Sequence, residues 1–101
     1  MTTIRDLLQE KFEHFIKLLE SIFSEKELEH ISQLYKNVKT ELIVEFIKLK
    51  IIPFKFNYDL IIHQLITDFK LDVNKLTDDH KIKFKKYLVF FIEIVDHIEK
   101  L

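Results

Sequence analysis

The chain of 101 residues has no cysteine, tryptophan, glycine or alanine, and only one proline (Pro53), one arginine (Arg5) and one methionine. Without cysteine there is no disulfide framework, no thiolate nucleophile and no cysteine-based zinc site. Nothing then depends on an oxidising compartment, so a cytoplasmic or otherwise intracellular setting, a virion included, is expected. Without glycine there is no phosphate-cradling loop and no nucleophile elbow. Tight hairpin turns, which lean on positive φ, should also be few. The opening MTTIRDLLQEKFEHF lacks the basic stretch and uninterrupted apolar run of a signal peptide, and secretion is not expected. No window of about 18 residues is free of charge, so no membrane span is expected.

An excess of charge of one sign is missing too. The formal net charge is −1, with 16 basic and 17 acidic residues, which leaves no global field to draw in DNA or an anionic membrane. What is abundant is isoleucine, lysine and phenylalanine. The scarce residues have G/C-rich codons and the abundant ones A/T-rich codons, which points to an A/T-rich genome, with a viral structural or accessory protein as one concrete form.

The apolar spacing predicts an all-α fold, a single four-helix bundle or orthogonal helical domain spanning residues 1–101. A first helix over about 3–23 places Ile4, Leu8, Phe12, Phe15, Leu19 and Ile22 on one stripe. Ser24 to Glu27 reads as a capping box that starts a second helix, over about 25–50, closely after the first. In it Leu28, Ile31, Tyr35, Val38, Leu42 and Leu49 keep a heptad register. Past Leu42 that register degrades, so the helix either becomes buried all round or breaks near Asn37 to Thr40. Partial alternation and β-branching over 46–56 allow a short strand there. Asn57 and Thr77 are N-cap candidates for helices over about 58–70 and 78–100. Between those two helices Leu71, Val73 and Leu76 are expected to tuck into the core.

The stretch KIKFKKYLVFFIEIV, Lys81 to Val95, sets lysines against a nearly unbroken apolar run. On a helical wheel Phe84, Leu88, Phe91, Val95 and Ile98 form one stripe. Lys81 and Lys85 fall on one shoulder, and Lys83 and Lys86 lie around the other. A nucleic-acid reader gathers its cations on one side beside exposed stacking aromatics, so this helix is expected to be a solvated bundle helix. With Lys48, Lys50 and Lys55 as a second basic set, the alternative is a nucleic-acid-associated or regulatory module using Lys48, Lys50, Lys55, Lys81, Lys83, Lys85 and Lys86.

Catalytic and metal chemistry find little support. The pairs Glu10/His14, Asp59/His63 and Glu93/His97, and Glu27/His30 at the spacing of di-iron bundles, do not supply the two Glu-x-x-His elements such a bundle needs. Ser24 is explained as a cap, and Asp78 and Asp79 as charges suited to a helix start. No catalytic residue, metal or cofactor is assigned.

The feature left over is apolar excess. Almost half of the residues are hydrophobic, nearly all of them large. Some of that surface should therefore be covered by another chain. The expected function is a non-enzymatic interaction or assembly subunit, homo-oligomeric or within a larger complex. Its expected partner interface includes Ile47, Ile51, Phe54, Phe56, Phe90, Ile94 and Leu101.

Overall fold

The computed structural model describes residues 3–35 and 38–100, the side chains at 30 and 32–35 excepted. It has five α-helices and, among the described residues, no strand: α1 (Ile4–Ile22), α2 (Glu25–Tyr35), α3 (Thr40–Lys50), α4 (Tyr58–Asp68) and α5 (Asp78–Glu99), with 3₁₀ turns at Ile52–Phe54 and Val73–Lys75. Helices α1, α3 and α5 pack against one another, α2 lies on α1, and α4 lies on α5.

Most helix starts follow the sequence signals. Thr3 and Asp6 form a reciprocal capping box at α1. Ser24 and Glu27 form another at α2, each backbone N–H donating 3.3 Å to the other's side chain. Asn57 caps α4 through the Leu60 amide. At α5 Thr77 bonds the His80 amide, while the Thr77 amide donates to His80 Nδ1, so a histidine fills the place usually taken by Glu or Gln.

One helix over 25–50 is not formed. The chain breaks between α2 and α3, and the packing shows why. Ile43, Ile47 and Ile51, one turn apart, are fully buried, whereas Leu42 and Leu49 are exposed. A straight continuation of the heptad seam would bury Leu42 and Leu49 and expose the three isoleucines. Gln9 of α1 holds the break from inside, donating 2.7 Å to the Val38 carbonyl and accepting 2.8 Å from the Thr40 hydroxyl. Tyr35 and Val38 are thus not consecutive turns of one helix. The region 46–56 is likewise no strand: α3 runs through it to Lys50 and then tightens into a 3₁₀ turn around Pro53, whose missing N–H suits such a start.

The centre is aromatic. The Phe15 ring meets the Phe84 and Phe91 rings edge-on at 5.5 and 5.6 Å, an arrangement favoured by ring quadrupoles. Phe12 joins Phe91 to Phe46, which stacks on Phe69 at 6.2 Å. Among the described residues every buried side chain is hydrophobic. No described helix is long and apolar enough to cross a membrane.

After α4 the chain turns through Lys70, at φ 57°. The Leu71 amide donates to the Ile66 carbonyl and the Lys70 amide to that of Thr67, a Schellman motif built without glycine. It drops Leu71 into the core as expected. Val73, expected inside, stands half in solvent, because the 3₁₀ turn at Val73–Lys75 faces it outward.

Candidate docking surface

The residues expected to meet a partner divide sharply. Ile47, Ile51 and Ile94 are buried within the chain and so belong to its core, not to a surface. Ile94 is covered because α5 packs against α1, α3 and α4 at once. Phe54 and Phe90 are half-buried, Phe56 is 79% exposed, and Leu101 lies outside the described residues, as does the side chain of His30.

Phe56 sits at the third position of a turn over Phe54–Asn57. Lys55 has φ −53° and ψ 144°, Phe56 has φ 75°, and the Asn57 amide donates 3.0 Å to the Phe54 carbonyl. This is a type II turn, in which the third residue is ordinarily glycine or asparagine. The left-handed backbone costs a side chain with Cβ about 1–2 kcal/mol. The Lys55 ammonium lies 5.7 Å from the Phe56 ring centre, a contact worth only about 0.5–1 kcal/mol in water. Composition does not force the choice, because asparagine occurs at the very next position.

The two lysine sets also separate. Lys48 pairs with Glu99 at 2.6 Å, and that hydrogen bond raises its pKa; Lys50 pairs with Asp68 at 3.1 Å; Lys55 covers Phe56. These cations have partners within the chain. Lys81, Lys83, Lys85 and Lys86 are all exposed and make no ion pair among the described residues. Of the acid-first pairs on this helix, Asp96 with Lys100 forms, at 3.0 Å, and Asp79 with Lys83 does not. Since Lys48 reaches Glu99, it meets α5 sixteen residues, or about 24 Å along the axis, from Lys83, and the two sets make no single basic patch.

Lys83 and Lys86 are instead joined by Lys11 of α1, which nothing in the α5 sequence announces. Together with Leu18, Tyr87 and Phe90 these three lysines line an open groove of about 330 Å³ between α1 and α5. A second cleft, where α3 meets α4, is lined by Leu49, Phe54, His63, Gln64 and Thr67 beside the Lys50–Asp68 pair. His63 is exposed there.

The remaining electrostatics hold elements together. The Glu27 carboxylate accepts from Lys75 and from the Ser24 and Asp72 amides, so its pKa falls from the ordinary 4.5 to about 2. It thereby ties the start of α2 to the α4–α5 connection. Glu41 is lowered by its own backbone N–H and then by Arg5, which reaches it from α1 at 2.6 Å. Among the described residues no group of three or more His, Asp or Glu side chains is placed to hold a metal.

None of the protein-family models, curated proteins or solved structures compared with the chain matches it.

Proposed function

We propose that this protein is a non-enzymatic interaction or assembly subunit that associates with further copies of itself. The observation that carries this reading is Phe56, a large ring held in water by a left-handed turn that asparagine would make at lower cost. A conformational cost kept at an exposed aromatic is a mark of a contact made outside the fold. Leu42 and Leu49, seven residues apart on the outer side of α3, add 56% and 64% exposed leucines to the same reading. The ion-paired state of Lys48 and Lys50 supports a protein partner over a nucleic acid, whose phosphates would compete with bonds the chain already makes.

Light scattering of the whole chain from low to high micromolar, with and without a single-stranded oligonucleotide at low salt, tests this. The expected result is a mass that rises above the monomer with concentration and ignores the oligonucleotide. A monomer at every concentration that binds the oligonucleotide with a steep salt dependence would overturn it in favour of the nucleic-acid reading.

A further inference from the structure

In the groove between α1 and α5, unpaired charge of one sign and apolar surface coincide. Lys83 and Lys86 form its rim on α5 and make no ion pair among the described residues, and Lys11 faces them from α1 with only the Phe90 ring, 5.6 Å away, as a partner. The floor is Leu18, Tyr87 and Phe90. Asp79 and Glu93 are the nearest acids on this side of α5 by helical position, and neither lines the groove or pairs with its lysines. Three ammonium groups around an apolar floor complement one kind of occupant: a side chain of Leu or Phe type flanked by carboxylates.

Other occupants fit less well. A second copy meeting groove to groove would set three lysines against three, a like-charge contact that opposes association. Bases of a nucleic acid need free ring faces to stack on. Here Lys11 lies over Phe90, while Tyr87 packs edge-on against Phe15 at 5.8 Å and tilted on Phe91 at 6.3 Å. A small molecule needs a site that buries about 70–90% of it, and this groove is open to solvent. Two helices side by side do suit a third helix laid between them, the helix-in-groove mode of peptide recognition.

We infer that the α1/α5 groove docks an acidic amphipathic helical segment of a different protein, its apolar residues over Leu18, Tyr87 and Phe90 and its Asp or Glu residues facing Lys11, Lys83 and Lys86. This rests on the reading of the chain as an interaction subunit, and it adds the chemistry of one partner. The surface is distinct from the Phe56 turn, so a homo-oligomer would still offer it.

The test is selection of a random-sequence helical peptide library, displayed on phage, against the immobilised full chain at low salt, followed by fluorescence anisotropy of the labelled consensus peptide. Enriched peptides should alternate Leu or Phe with Asp or Glu at helical spacing. The consensus peptide should bind Lys83→Glu/Lys86→Glu about tenfold more weakly, as expected for two partly exposed ion pairs replaced by repulsion. It should bind Lys81→Glu/Lys85→Glu, altered on the opposite shoulder of α5, within about twofold of the parent, the small change that distant screened charges produce. All four lysines are exposed, so both variants are expected to fold, which circular dichroism checks. No enrichment, peptides without acidic bias, equal loss in both variants, or displacement by a single-stranded oligonucleotide would each overturn the inference. If self-association persists while this binding fails, the inference falls alone; if both fail, the interaction reading falls with it.

Discussion

Helix α4 is bracketed by two left-handed residues, Phe56 before it and Lys70 after it, in a chain with no glycine to take either place. The backbone cost is similar at both ends, and the returns differ. At Lys70 the turn satisfies two carbonyls at the end of α4, buries Leu71, and leads into a segment that Glu27 ties to α2 through the Asp72 amide and Lys75. At Phe56 the turn closes one hydrogen bond and delivers a ring to water. Strain that the fold recovers is ordinary architecture. Strain that it does not recover points to a contact the isolated chain lacks.

The largest effect that separates the two ends is at Leu71. Leu71→Ala should lower stability by about 2–4 kcal/mol, the range for deleting a buried leucine side chain, measured by denaturant unfolding. A loss no larger than that of a surface substitution would mean that the Lys70 turn is not anchored by its apolar contact.

A smaller effect should follow from Glu27, which fastens the same end of α4. Its pKa is depressed in the folded chain, so the stability it contributes is fully present above its unfolded value of 4.5 and is lost as pH falls towards about 2. Thermal melts of the parent and Glu27→Gln should differ near neutral pH, with the parent the more stable, and converge as the pH drops through that window. Curves separated equally at pH 7 and pH 2 would show that the carboxylate charge is not what fastens the connection.

The sequence carried the fold class, all three proposed caps, at Ser24, Asn57 and Thr77, and most of the core stripe of α5, because capping chemistry and 3.6-residue periodicity are local signals. It misplaced Ile47, Ile51 and Ile94 at an interface because a wide apolar face looks the same whether one neighbour covers it or three. The α2–α3 break was left open because what decides it, Gln9 clamping Val38 and Thr40 from α1, is a contact some thirty residues away in sequence. For the groove, the wheel correctly put Lys83 and Lys86 on one shoulder. Lys11 was invisible from α5 alone, since only the packing of α1 beside α5 brings it there. The apolar pattern placed Phe56 at an expected partner interface but gave no sign of its strain, because its φ follows from the turn and not from its neighbours.

The most direct measurement compares Phe56→Asn with Lys70→Asn by sedimentation velocity and thermal melting. Asparagine accepts the left-handed region more readily than either residue, so each variant should be slightly more stable as a monomer, the more so at Lys70, where no ring contact is lost. The account predicts that Phe56→Asn gains this stability and loses concentration-dependent association, while Lys70→Asn gains it and associates as the parent does. Unchanged association in Phe56→Asn, or equal loss in both variants, would contradict the claim that the Phe56 turn is kept for a partner.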